Sequence, residues 1–295
     1  MNADTLHENL PSKKEQLLAP TQMDKIMMLN RLFDNNYKGE SKLRSKITVR
    51  NISNLPVNFD YQYGLASMLY FKLASADIKL ANETHAHQGF KFYTFSNLIL
   101  MNRKTSTSGL YFEKAFFILA SPDDRFIKSF TEGLLQQPEF YLDGPEGRAN
   151  FVIERIEILK EPSLGDECWF KTLSPIYVKT MRKDNEGLKE VDLYPTEPKF
   201  YENLHRNLVE RFTEFYGKAP VDHFDVIETA EIKPKRIKIS EGYRRCNLMS
   251  LRIQASPELL KFAYDAGLGE KNGMGFGCVD VLDQHMKNLT ADERR

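Results

Sequence analysis

GLGEKNGMGFG spans Gly267 to Gly277 and holds five of the 16 glycines in a chain of 295 residues. Glycine is tolerated where the backbone takes a positive φ or passes close to another group. A phosphate-binding loop of the Rossmann or Walker type would follow a strand and open a helix. Here the order is reversed. Ser256-Pro257 reads as an N-cap and first helical position, Leu259, Leu260, Ala263 and Tyr264 supply an apolar stripe, and Gly267 closes the helix. Phe276, Val279 and Val281 then read as a strand. Asn272 stands where a Rossmann glycine would be required, and no Gly-Lys-Ser/Thr occurs. The order excludes a mononucleotide loop and fixes helix, glycine loop, strand as the end of a repeating unit.

Working back from this end, the same order of elements appears twice. In the second half, Trp169 to Thr180 reads as a strand and Phe200 to Phe215 as a helix carrying Leu204, Leu208 and Phe212. His223 to Ile239 and Asn247 to Gln254 are expected strands, before the helix from Pro257 and the strand from Gly275. In the first half, Lys46 to Ile52 is an expected strand, and Asn58 to Ala74 a helix with Leu65, Met68, Leu69 and Leu73 on one face. Strands are expected over Phe90 to Leu100, Tyr111 to Ala120 and Phe151 to Leu159. Ser121-Pro122-Asp123-Asp124 caps a helix with Phe126, Ile127, Phe130 and Leu134 inward.

Strand, helix, strand, strand, helix, strand is the split βαβ pattern. The sequence therefore predicts an α+β chain of two tandem ferredoxin-like (RRM-like, βαββαβ) domains with a C-terminal glycine-rich loop. The expected limits are an extension over 1–43, domains over 44–164 and 165–284, and a tail over 285–295. Met23 to Tyr37 is the one periodic stretch of the extension and reads as an amphipathic helix.

The bulk properties narrow the function. Lysine plus arginine (41) balance aspartate plus glutamate (41), so any nucleic-acid footprint is local. Three scattered cysteines form no CxxC pair, which speaks against a zinc ribbon or disulfide framework and for a reducing compartment. No apolar run has the length of a membrane span, and a cytoplasmic protein is expected. GMGFGCVDV lacks the leading cation and stacking aromatics of an RRM signature, so base stacking on that sheet face is not expected.

Four stretches, FKFYTFS (Phe90 to Ser96), FKTLSPIYVKT (Phe170 to Thr180), KPKRIKI (Lys233 to Ile239) and the glycine loop, occur in this order. Together they resemble the repeat-associated RNA-binding superfamily of CRISPR systems. Within it, they resemble the endoribonucleases that cut precursor CRISPR RNA inside its repeats. The likeness runs from about Lys46 to Leu282.

The resemblance implies a ribonuclease without metal or cofactor, whose tyrosine, histidine and lysine fall on Tyr70, His85 and Lys91. Tyr70 is expected on the first helix off its apolar face, His85 in the following loop, and Lys91 at the start of the next strand. ETHAHQG offers a second histidine, His87, where the pattern has one. The implied partner is CRISPR repeat RNA, precursor and processed. Other CRISPR effector subunits and a second copy of the chain are further candidates. A non-catalytic repeat-RNA-binding subunit is the alternative reading, and an unrelated ferredoxin-like enzyme the third.

The chemistry is coherent without the analogy. RNA carries its own nucleophile, the 2′-hydroxyl. A base takes its proton, an acid protonates the departing 5′-oxygen, and a cation steadies the crowded phosphorane. Histidine, with a reference pKa of about 6.5, serves as either acid or base. Lysine supplies charge. Tyrosine, at about 10, suits an orienting role better than that of a base. The glycine loop is then expected to grip RNA backbone through Gly269, Lys271, Asn272, Gly273, Gly275 and Gly277, as an anion nest. Beside it, Lys233, Lys235, Arg236 and Lys238, with Arg244 and Arg245 in the following turn, form an expected phosphate track.

Overall fold

The computed structural model describes residues 44–282, except 87–88, 105, 185–186, 222, 240–241 and the side chain of 184. The expected helix over 23–37, the tail and His87 lie outside the described residues.

The first half runs β1 (Arg44–Asn51), α1 (Gln62–Ala76), α2 (Ile78–Ala86), β2 (Thr94–Phe95), β3 (Ile99–Met101), β4 (Lys114–Ala120), α3 (Asp124–Gln136), β5 (Glu139–Gly144) and β6 (Gly147–Leu159). Its sheet has the order β2-β4-β1-β6-β5, with β3 also on β4 and every pair antiparallel. With β2 and β3 sharing one position and β5 added outside β6, this is the ferredoxin-like order. Alternation in β1 sends Ile47 and Val49 into the core, where Leu65, Leu69 and Leu73 of α1 meet Phe126, Ile127 and Phe130 of α3. Asp123 caps α3 by accepting from Arg125 N at 2.9 Å.

The second half runs β7 (Glu167–Thr172), β8 (Lys179–Asp184), β9 (Gly187–Asp192), α4 (Pro198–Tyr216), β10 (Phe224–Ile239), β11 (Gly242–Ala255), α5 (Pro257–Ala266) and β12 (Val279–Val281). Its sheet order is β10-β11-β7-β12, again antiparallel, with β8 and β9 forming a separate hairpin. Phe200, Leu204, Leu208 and Phe212 of α4 and Leu259, Leu260 and Ala263 of α5 close the second core. Among the described residues no helix is long and apolar enough to cross a membrane.

Three local expectations need correction. Phe90 to Leu100 is not one strand. Its backbone pairs with β4 at β2 and β3, while between them Asn97 N turns to Leu173 O at 3.0 Å. Its side chains also bridge the halves: Phe92 packs on Phe215 at 5.1 Å between ring centroids, and Thr94 Oγ1 donates to Phe276 O at 2.9 Å. Trp169 to Thr180 is likewise broken, since Leu173 N turns to Cys278 O at 2.7 Å and Ile176 N to Asn247 O at 2.8 Å. Finally, the stretch expected as a loop before Phe90 contains helix α2. Only Leu80 and Ala81 of α2 are buried, too short a stripe to register as periodic. Asp77 was its signal: the carboxylate accepts from Leu80 N at 2.9 Å and pairs with Arg125 at 2.9 Å.

Buried Arg44, at the start of β1, fastens the two halves. Its guanidinium donates to the carbonyls of Tyr264 (3.3 Å) and Val279, pairs with Asp280 at 3.5 Å, and lies 3.8 Å over the Tyr264 ring. The glycine loop is thus held against the first half, where it meets α1 and the stretch from Lys91 to Phe95.

Candidate active site

A cleft of about 640 Å³ opens between the halves and is lined by Tyr70, His85, Lys91, Lys271, Asn272 and Gly273 among others. The three expected catalytic residues come from two helices and the irregular segment before β2. Tyr70 is half-buried on α1, and its ring lies 5.2 Å from the imidazole of His85. His85 is in the last turn of α2, exposed, and not in a loop as expected. Lys91 precedes β2 in irregular backbone and is not a strand residue.

Lys91 Nζ donates to the carbonyls of Thr84 and, at 3.4 Å, His85. A lysine at the C-terminus of a helix satisfies carbonyls that have no intrahelical partner and complements the negative end of the helix dipole. Lys91 therefore holds in place the turn that carries His85. Burial pulls its pKa below the ordinary lysine value.

The opposite wall is the glycine loop, and here the sequence expectation is corrected in its reason. Gly269, Asn272, Gly273, Gly275 and Gly277 are all buried, and of these Asn272 and Gly273 line the cleft. What approaches the permissive backbone is protein. At Gly275 (φ 81°) a Cβ would come within 2.5 Å of the Phe95 ring, and at Gly277 (φ 70°) it would overlap the Leu268 carbonyl oxygen. A Cβ at Gly273 would stand 3.1 Å from the stem of Lys91. Gly273 and Gly275 let the loop of one half press on Lys91 and Phe95 of the other.

The loop is also less of a nest than expected. The N–H groups of Leu268, Glu270, Met274, Gly275 and Gly277 all bond within the protein, and Asn272 Nδ2 donates to Leu268 O (3.2 Å) and Phe276 O (3.1 Å). Its crown, Lys271 to Gly273, is the part that lines the cleft. Lys271 takes a left-handed φ of 58°, and burial, then the charge of Arg244, lowers its pKa.

Sequence reasoning missed the residue that clamps the loop. Arg211 of α4 is buried and donates to Gly267 O (2.9 Å), Gly269 O (3.4 Å) and Ala266 O. Its signal was a lone arginine on the apolar stripe of Leu204, Leu208 and Phe212. It also missed Lys179 and Glu270 on the cleft wall, which pair at 3.6 Å. Burial raises the pKa of the Glu270 carboxyl, and Lys179 opposes that rise.

The basic stretch is divided. Lys233, Lys235, Arg236 and Lys238 are exposed on β10, with Ile237 inward as alternation requires. Arg236 lies over the Tyr243 ring at 4.0 Å. Arg244 and Arg245 are strand residues of β11 and not turn residues, because the hairpin β10–β11 is longer than the apolar pattern indicates. They line a second cavity of about 790 Å³ with Glu190 and Asp192. Arg244 pairs with Glu190 at 3.6 Å, while Arg245 donates through its backbone N to Asp192 and its side chain to Tyr194, both at 2.9 Å. Among the described residues, no group of three or more His, Cys, Asp or Glu is placed to hold a metal ion.

Comparison with known proteins assigns the family. The profile described as CRISPR-associated protein Cas6, N-terminal, matches residues 56–157, and that described as CRISPR associated protein Cas6, C-terminal, matches 159–281. The chain belongs to the Cas6 family. It is 37% identical over 251 residues to CRISPR-associated endoribonuclease Cas6 1 of Methanocaldococcus jannaschii, covering 84% of this chain and 95% of that protein. A solved CRISPR associated protein Cas6 superposes with a TM-score of 0.72 at 35% identity, over 82% of this chain and 100% of the other. A solved RAMP protein binding different RNA substrates gives a TM-score of 0.75 at 30% identity, over the same shares of the two chains. Tandem ferredoxin-like halves are thus the Cas6 architecture.

Proposed function

We propose that this Cas6-family chain is an endoribonuclease that cuts precursor CRISPR RNA within its repeats, without a metal ion. The observation that carries the reading is the convergence of Tyr70, His85 and Lys91 on one cleft that faces the glycine-loop crown. The 2′-oxygen attacks the adjacent phosphorus as its proton leaves. The P–O5′ bond breaks, and the 5′-oxygen takes a proton. The products are a 2′,3′-cyclic phosphate upstream and a 5′-hydroxyl downstream. His85 moves a proton as general acid or base, the Tyr70 hydroxyl orients the reacting group, and the ammonium of Lys91 stabilises the phosphorane.

The basic track supports RNA as substrate. Arg236 and Arg245 stand directly opposite across β10 and β11, so two cations share one face of the hairpin. The test is end-labelled repeat RNA in excess EDTA. Cleavage is expected, with the product ends named above, and a 2′-deoxy substitution at the cut site should leave the RNA bound and whole. A strict magnesium requirement overturns the metal-independent mechanism. RNA bound but uncut under every condition identifies a repeat-binding subunit instead.

A further inference from the structure

Helix α1 is apolar on two faces. Leu65, Met68, Leu69 and Leu73 are buried in the first core, yet Tyr63 is 51% and Phe71 68% exposed on the other side. Phe59, just before the helix, is also exposed. A surface helix ordinarily presents polar residues outward, and contiguous exposed apolar surface marks a binding site. Tyr63, Ser67, Tyr70 and Phe71 fall at i, i+4, i+7 and i+8, so they form one stripe along the helix, about 12 Å from Tyr63 to Phe71.

The stripe has two defined ends. At one end Phe71 meets the edge of Tyr70 at 6.1 Å, and Tyr70 in turn faces His85. At the other, Asp60 accepts from Lys238 N at 3.4 Å, which brings the basic strand β10 beside the start of α1. Aromatic surface therefore lies between two cationic places, Arg236 and Lys238 on one side and Lys91 and Lys271 on the other. Tyr63, Tyr70 and Phe71 line the same cleft as His85. Single-stranded RNA fits this alternation, since its phosphates seek the cations and its bases have apolar faces that stack on aromatic rings.

We propose that Tyr63 and Phe71 are stacking platforms for unpaired nucleobases of the substrate RNA next to the scissile phosphate. This rests on the ribonuclease reading above and extends it: the enzyme holds its cut site single-stranded by replacing base–base stacking with base–aromatic stacking on α1.

The experiment measures Kd for uncleavable 2′-deoxy repeat RNA with wild-type protein, Tyr63→Ala and Phe71→Ala. Each alanine is expected to weaken binding by about 5- to 150-fold while the salt dependence stays unchanged, because no phosphate contact is lost. Abasic sites beside the cut should cost wild type as much and cost the matching alanine variant little further. Phe71→Trp should retain affinity, and its emission should be quenched by RNA, the chain having a single other tryptophan. Both residues are exposed, so the substitutions leave no cavity, and circular dichroism checks the fold. Wild type that binds and cuts, with both alanine variants binding equally well, overturns this proposal and leaves the ribonuclease reading standing. Wild type that neither binds nor cuts overturns both. Alanine variants that change only the sedimentation coefficient show that the stripe joins two copies of the chain, which also overturns it.

Discussion

The Tyr70 ring and the His85 imidazole lie 5.2 Å apart, their planes inclined by 50°. The two belong to consecutive helices that meet at Asp77, so the angle between α1 and α2 sets the pair. His85→Ala should slow single-turnover cleavage by roughly 10²- to 10⁴-fold with RNA affinity nearly unchanged. Tyr70→Phe keeps the ring and should cost less. His87→Ala is the comparison and should lose far less than His85→Ala. Rate constants for the three variants, ranked in any other order, would reassign the catalytic roles.

Lys91 predicts an alkaline limb. In the proposed mechanism the phosphorane needs the charged ammonium, and burial disfavours that form. The rate should therefore fall as pH rises through a value below the ordinary lysine pKa of about 10.4. Lys91→Arg keeps a charge that does not titrate in this range and should move the limb upward, even if the maximal rate drops. A pH–rate profile of both proteins decides it.

Arg236→Gln, Lys238→Gln and Lys271→Asn should each reduce the slope of log Kd against log salt by about 0.7 for single-stranded RNA. Asparagine is chosen at 271 because it tolerates the left-handed φ there. Titrations at several salt concentrations give the slopes, and three unchanged slopes would show that these cations do not touch phosphate.

Arg211→Met should lower both stability and cleavage. It removes the donor to Ala266 O, Gly267 O and Gly269 O, at a cost of roughly 1–3 kcal/mol for each carbonyl left unsatisfied and dry. The urea midpoint should shift down. Saturating RNA should recover part of the loss, because it binds the folded state alone.

The thiols of Cys168, Cys246 and Cys278 are free and buried, and burial pushes their pKa values up to about 12, about 12 and about 11. Since the thiolate is the reacting form, the native protein should resist iodoacetamide near pH 8, whereas urea-unfolded protein should take up three equivalents. Mass spectrometry counts them.

The order of elements was legible in the sequence because each core-facing segment carries its own period. β1 alternates around Ile47 and Val49, α4 repeats at Leu204, Leu208 and Phe212, and the loop after α5 is marked by Gly267. The short helix α2 escaped, since two buried residues make no period, and so His85 read as a loop residue. The glycine loop was found but its cause was not. Which group fills the space beside Gly273 or Gly275 depends on Lys91 and Phe95, about 180 residues earlier in the chain, and local patterns carry no information across that distance. The same holds for the cleft. Sequence alone determined that the chain has two ferredoxin-like units, and its resemblance to the CRISPR RNA endoribonucleases pointed to Tyr70, His85 and Lys91. Only the packing of the units, fastened by Arg44, with Arg211 clamping the loop inside the second unit, decided that these three face the loop crown and that the aromatic stripe of α1 leads into them. Side-chain convergence is a property of the docked halves, and each half's own hydrophobic pattern is satisfied before the docking is specified.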